Sequence, residues 1–410
     1  MNILLVTQYF WPEHFIINDL VKCLNAKGHT CKILTGQPNY PDGITYPGYK
    51  ADACHTDTFV KPDDVFRIPL RPRGQGMLNL IRNYLSFIIN GWRYFPKAIK
   101  DSSFDVMLFM GVSPITSAIP AIYLKRKYKL HLALWVQDLW PESLSATGYV
   151  KHPWLLKLVG QLVKKIYAQS DTILVQSQAF IEAIKPYTTL NKVIYYPNSY
   201  PDLYTAASMP LSLSHAQIHE LKTHFCVVFA GNVGQAQAIE TWVKAASLLT
   251  HLPDIRLIIV GTGSCMPHLT TLIEQKNLTN IKLLGRLPHT QMIHLYQYSA
   301  ALLVTLRKNK ALAATIPSKI QAYMAASRPL IGALDGAGNQ LICEARAGLT
   351  CAAEDGVGLA DCIMSLYRLS PEQRQHMGEA ARTYFLKHFE LNNQSDRLIS
   401  IFSQRLGISL

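Results

Sequence analysis

The 410-residue chain has no Gly-x-Gly-x-x-Gly after its first apolar run, where a nicotinamide or flavin enzyme would cradle its pyrophosphate. A dehydrogenase is therefore disfavoured. Its eight cysteines (23, 31, 54, 226, 265, 343, 351 and 362) include no Cys-x-x-Cys pair and no finger-like spacing to histidine, which argues against a zinc site. A chain this long has no need of disulfide staples, so the cysteines read as reduced and mostly buried. No Asp-x-Asp occurs anywhere. Residues 78 to 95 come nearest to a long apolar run, but Arg82, Arg93 and several asparagines interrupt them, which speaks against a spanning helix. The start, Met1 to Thr7, lacks a basic leader and a cleavage site and reads as a strand, so the protein is expected in the cytosol. Acidic residues are also scarce, 27 against 40 Lys and Arg, and the net charge of +13 implies an anionic partner: nucleic acid, a membrane surface or a phosphorylated substrate.

What is present is a chain with 49% hydrophobic composition, enough for substantial cores in two or three domains. Ile3 to Val6 reads as a buried parallel strand, followed by the loop Thr7 to His14, an apolar-periodic helix from Phe15 to Leu24, and a second strand from Cys31 to Thr35. This β-loop-α-β opening predicts a doubly wound sheet. Gln37 to Gly43 is a turn-rich loop at the carboxyl end of that second strand, where open α/β sheets bind ligands. In residues 78 to 95, helical spacing gathers Ile81, Tyr84, Leu85, Ile88 and Trp92 on one face, which fits a core helix or one lying on a bilayer. We expect the core, with the basic, aromatic end touching lipid.

The strand His131 to Val136 delivers Gln137-Asp138-Leu139-Trp140-Pro141-Glu142-Ser143 at its carboxyl end, placing two carboxylates in a Trp/Pro-framed loop. Asp138 fits either a reacting-hydroxyl partner or a helix cap. Pro197 to Asp202 reads as a linker. In the second half, the strand Cys226 to Ala230 runs into Gly231-Asn232, Leu257 to Val260 into Gly261-Thr262-Gly263, and Ile281 to Gly285 into Arg286. Glycines at such junctions let backbone N–H groups approach a ligand. The passage Thr315 to Ile331 then predicts a helix opened by Pro317 and capped by Ser318, with Lys319 in its first turn. The free N–H groups of that turn, with a lysine beside them, attract phosphate. A capped helix with a solvated lysine would read the same.

Two strings, Gln137 to Ser143 and Ile316 to Ala326, are similar to signatures of glycosyltransferase family 4. Within it they most resemble a bacterial subgroup that includes the fucosamine and colanic-acid transferases of O-antigen, capsule and exopolysaccharide synthesis. The resemblance spans nearly the whole chain. It implies the GT-B fold: two doubly wound, Rossmann-like α/β domains facing each other across a cleft. The expected organisation is an acceptor-side domain over 1–198, a linker over 199–220, a nucleotide-sugar domain over 221–385, and a last helix in 386–410 crossing back. By the same resemblance Lys319 and the helix start hold the diphosphate of the donor, with Gly231, Asn232, Gly263, Arg286 and Ser318 as further donor contacts. Glu13, His14 and Glu142 fall on the acceptor side, and Asp138 is the acceptor-hydroxyl partner or general base.

The family usually carries two glutamates at the donor site, and the matching positions here are Ala314 and Ala322. Gln321 or Glu344 is the expected substitute. The resemblance implies a retaining transferase that moves a sugar from a UDP-linked donor to a polyprenyl-diphosphate-linked saccharide, on the inner face of the cytoplasmic membrane. No nucleic acid, cofactor or metal is expected. The alternatives are a nucleotide-sugar epimerase on the same fold and a non-catalytic assembly subunit, which the two missing glutamates would suit.

Overall fold

The computed structural model describes residues 1–74, 76–146, 152–202 and 210–408. The chain forms two compact units, Met1–Asn198 with Gln394–Leu410, and Ser199–Asn393. Residues 203–209 of the expected linker lie outside the described residues. Its last part is helical, because Ser214 and Gln217 form a reciprocal capping box that opens a helix at His215–Thr223.

In the first unit the strands are β1 (Asn2–Val6), β2 (Thr30–Gly36), β3 (His55–Asp57), β4 (Val65–Ile68), β5 (Val106–Gly111), β6 (Leu132–Val136), β7 (Thr172–Val175) and β8 (Val193–Tyr195). They form one sheet in the order β3-β4-β2-β1-β5-β6-β7-β8, parallel except for the antiparallel edge strand β3. Strands such as Val106–Gly111 and Leu132–Val136 are buried at every position, as parallel strands covered on both faces must be.

The second unit holds β9 (Phe225–Ala230), β10 (Ile255–Val260), β11 (Ile281–Gly285), β12 (Ala301–Thr305), β13 (Leu330–Ala333) and β14 (Gly348–Cys351). Their order is β11-β10-β9-β12-β13-β14, with every pair parallel. β9 shows how the period of two builds two cores. Phe225, Val227 and Phe229 pack on one face with Trp242, while Cys226, Val228 and Ala230 pack on the other with Tyr323 and Met324.

Both sheets reverse direction of growth once, between β1 and β5 and between β9 and β12. Ligands of doubly wound sheets bind outside the carboxyl ends of the strands at such points. β12 (Ala301–Thr305), which is not among the strands expected from sequence, is half of the second of these points.

The helix Met77–Ala98 corrects an expectation. Its buried positions are Asn83, Phe87, Gly91 and Phe95, a stripe at every fourth residue, together with Pro96. Gly91 is what lets Pro120 approach, since a Cβ there would meet the proline ring at 2.7 Å. Leu78, Ile81, Leu85, Ile89 and Trp92 form a second stripe and are exposed. Of the face expected in the core, Ile81, Leu85 and Trp92 are exposed and Tyr84 and Ile88 half-buried, because the helix packs through Phe87, Gly91 and Phe95 instead. No helix among the described residues is long and apolar enough to cross a membrane.

Candidate active site

The helix Ser318–Ala325 starts beside the carboxyl end of β9, and two of its side chains, one turn apart, reach that end. The hydroxyl of Tyr323 accepts from Ala230 N at 2.9 Å and donates to Ala230 O at 3.2 Å. Lys319 turns the same way. Its Nζ lies 4.7 Å from the centroid of the Phe229 ring, and a Cβ on Gly231 would sit 2.7 Å from its Cε. Gly231, at φ +138°, thus makes room for the lysine, where the sequence suggested close approach to a ligand.

Lys319 is not the solvated side chain expected of a surface helix start. It is partly buried, and that desolvation lowers its ammonium to a pKa of about 8. No carboxylate lies within ion-pair distance of it among the described residues. Ser318 does not cap the helix either. Pro317 occupies the cap position with extended backbone, and Ser318, the first helical residue, is exposed.

Backbone bonds tie the neighbouring strand ends together. Gly231 N donates to Val260 O at 2.8 Å, Gly261 N to Gly285 O at 2.7 Å, and Val233 N to Thr262 O at 2.9 Å. Gly263 lies against Val233 O and the Asn232 side chain so closely that no Cβ would fit. Asn232 and Arg286, directly after β9 and β11, are exposed at this edge. Arg307, just after β12, was not foreseen as a site residue. Its N–H donates to Ala236 O at 2.9 Å, which places it where the sheet order reverses. The signal was present, as Ala301-Leu-Leu-Val-Thr is a short apolar run before Arg307-Lys308.

Two expected substitutes for the family's glutamates do not serve. With its nitrogen turned toward them, the Gln321 amide donates to Pro317 O at 2.9 Å and Ser318 O at 3.2 Å, and the residue is 1% exposed. It braces the first turn of its own helix. Glu344 ends the helix Ala337–Glu344, which leaves the carboxyl end of β13 and runs back along the sheet. Four residues later Gly348 pairs with Leu330, the first residue of β13, so Glu344 stands at the opposite edge.

In the first unit, Asp138 follows β6 and its Oδ2 accepts from Ser113 N, after β5, at 2.8 Å. Trp140 Nε1 donates to Ser113 Oγ at 3.0 Å, closing a clasp between the two loops. Asp138 is therefore turned across the sheet edge and not spent on the short helix Glu142–Ala146. Glu142 lies near the hydroxyls of Tyr187 and Tyr167. Glu13 is no acceptor ligand: it is 1% exposed, with Oε1 taken by Asn39 N and Tyr40 N and Oε2 by Phe10 N. Burial pushes its carboxyl up to about 7 against those three N–H groups, and its work is to brace the loops after β1 and β2. His14, next to it, is exposed.

Residues 213–384 match the model of the glycosyl transferases group 1 family. The chain is 23% identical over 359 residues, 84% of its length and 83% of the relative's, to the colanic acid biosynthesis glycosyl transferase WcaI of Escherichia coli (strain K12). Its fold is similar to that of sucrose-phosphate synthase from Thermosynechococcus elongatus, with a TM-score of 0.75, 15% identity and 100% of both chains covered. It is similar also to Anabaena HepE in complex with UDP and glucose, with a TM-score of 0.69 at 12% identity, covering 98% of this chain and 100% of that one.

Proposed function

This chain is a glycosyltransferase of the GT-B fold with a group 1 domain over residues 213–384, and on that premise we propose that it moves a sugar from a UDP-linked donor to a polyprenyl-diphosphate-linked saccharide. The second unit holds the donor and the first meets the acceptor. The observation that carries this reading is Lys319. A partly buried ammonium with no carboxylate beside it, at a helix start next to glycine-lined strand ends, suits an anion. The diphosphate of a nucleotide sugar supplies that charge. The HepE structure with UDP and glucose supports the donor class by analogy of fold.

In the proposed reaction the bond from the anomeric carbon to the diphosphate oxygen breaks and UDP leaves. The acceptor oxygen bonds to that carbon on the same face, and configuration is retained. Lys319 and the N–H groups of its helix start offset the charge growing on the leaving phosphate. Asp138 orients the acceptor hydroxyl or takes its proton.

A lipid-linked acceptor has to be met at the bilayer. The exposed stripe from Leu78 to Trp92, flanked by Arg71, Arg82, Arg93, Lys97 and Lys100, is the proposed contact with the anionic inner leaflet of the cytoplasmic membrane. Assembly of a surface polysaccharide, as in O-antigen, capsule or exopolysaccharide synthesis, is the process this serves.

The test is a thermal-shift screen of nucleotide sugars followed by transfer assays with membrane lipid extract. Release of UDP that depends on lipid extract supports the proposal. Stabilisation by no nucleotide sugar, or sugar turnover indifferent to lipid, overturns it.

A further inference from the structure

The carboxyl edge of the first sheet holds a second cation that the reading above leaves unused. Arg73 follows β4 in a loop fixed at two points: Arg71 N donates to Ser86 Oγ at 3.0 Å and Arg73 N to Asn39 Oδ1 at 2.9 Å. Its guanidinium lies 5.4 Å from the centroid of the Tyr40 ring and faces the hydroxyl of Tyr9. No carboxylate lies within ion-pair distance of it among the described residues.

Tyr9 itself is buried, and its hydroxyl accepts from Gln8 Nε2 at 3.3 Å. Gln8 Nε2 is anchored in turn on Asn83 Oδ1 at 2.7 Å, so the amide cannot easily turn away. With the oxygen accepting from Gln8 and facing the Arg73 cation, the phenol proton is left to donate. A planar guanidinium fork with no carboxylate and a phenol proton beside it together fit an oxyanion, and a phosphate best of all, because the fork matches two of its oxygens.

The position along the edge adds to this. Tyr9 follows β1, Ser113 follows β5 and Asp138 follows β6, three strands in succession. At the usual spacing between strands, the ends of β1 and β6 stand about 10 Å apart along the edge. That distance is of the order of a sugar ring with its linkage.

We infer that Arg73 and Tyr9 bind a phosphate of the acceptor, so that the diphosphate rests on them while the saccharide hydroxyl is presented to Asp138. This rests on the acceptor reading above and adds the residues that recognise it. It also separates the two anions of the reaction, giving Lys319 to the donor and Arg73 to the acceptor.

Titration with inorganic pyrophosphate tests the site without catalysis. Wild type is expected to bind two equivalents, and Lys319→Ala and Arg73→Gln to lose one each. Tyr9→Phe, which keeps the buried ring, should weaken the second equivalent several-fold, and Arg73→Lys should restore it in part. Transfer kinetics then compare a short-chain prenyl diphosphate saccharide with the same saccharide lacking the diphosphate. Arg73→Gln should raise KM for the first at least tenfold, leaving kcat, UDP affinity and KM for the second unchanged. Two equivalents persisting in both Arg73→Gln and Tyr9→Phe, or equal losses on the two acceptors, would overturn the inference. If Lys319→Ala leaves UDP binding intact while Arg73→Gln still removes one pyrophosphate, the donor reading fails and this site stands.

Discussion

Lys319 and Tyr323 occupy successive turns of one helix and converge on successive residues of β9, the ammonium over Phe229 and the hydroxyl on both backbone atoms of Ala230. Positions i and i+4 share a helix face, so the phenol that pins the helix to the sheet also aims the lysine.

Removing the charge should separate stability from function. Lys319→Met takes away a desolvated cation with no carboxylate beside it, so the melting temperature of the free protein should hold or rise. Turnover should fall by roughly 10²-fold or more, the scale of losing one charge-stabilising group. The stabilisation given by UDP should shrink with it. Wild-type turnover in the variant would remove Lys319 from the site.

The pH dependence has a definite sign. Burial lowers the ammonium to about 8, below its unfolded value of 10.5, so the charged form costs stability at pH below 8 and the cost fades between 8 and 10.5. A bound diphosphate favours the charged form and raises the value again. UDP affinity should therefore be flat below pH 8 and weaken above it, by at most about tenfold per unit. Lys319→Arg should abolish that decline, and titration calorimetry from pH 7 to 10 would register either result.

Tyr323→Phe keeps the ring but leaves Ala230 N and O without their partner in a buried position. A loss of about 1–3 kcal/mol is expected in urea unfolding, the cost of an orphaned buried polar group. Because the lysine is aimed by the same contact, UDP affinity should drop as well. An unchanged unfolding midpoint would show that the hydroxyl does not hold the helix.

Asp138→Asn preserves the acceptor atom for Ser113 N and removes the base. Turnover should fall while UDP affinity stays within about twofold, since the change touches only acceptor chemistry. A fall in donor affinity with normal turnover would make Asp138 a donor ligand.

The membrane contact can be separated from the core on one helix. Leu85→Ser with Trp92→Ser should weaken flotation with anionic vesicles without lowering the melting temperature, because both side chains are about half exposed. Phe95→Ser should lower the melting temperature by contrast, since Phe95 is fully buried against Phe87. Flotation that ignores the Leu85 and Trp92 changes would release this stripe from the proposal.

The sequence by itself determined the parallel strands and the glycine-lined junctions after β9 and β10, because buried strands are continuous apolar runs and tight turns after them require particular backbone freedom. It also made the helix after Pro317 legible, through local chemistry that needs no distant partner. Tertiary structure alone decided which charges are free. Glu13 looked as available as Asp138, yet three backbone N–H groups from two loops consume it. Glu344 lies a few residues from a glycine-rich loop, but the helix between them carries it to the far edge of the sheet. On the Met77–Ala98 helix the longer apolar stripe runs through Ile81 and Leu85, yet packing buries the one through Phe87, Gly91 and Phe95. Sequence spacing reports the face a residue shares with its neighbours. What that face meets, and so whether a charge there is spent or available, is set by segments far away in the chain.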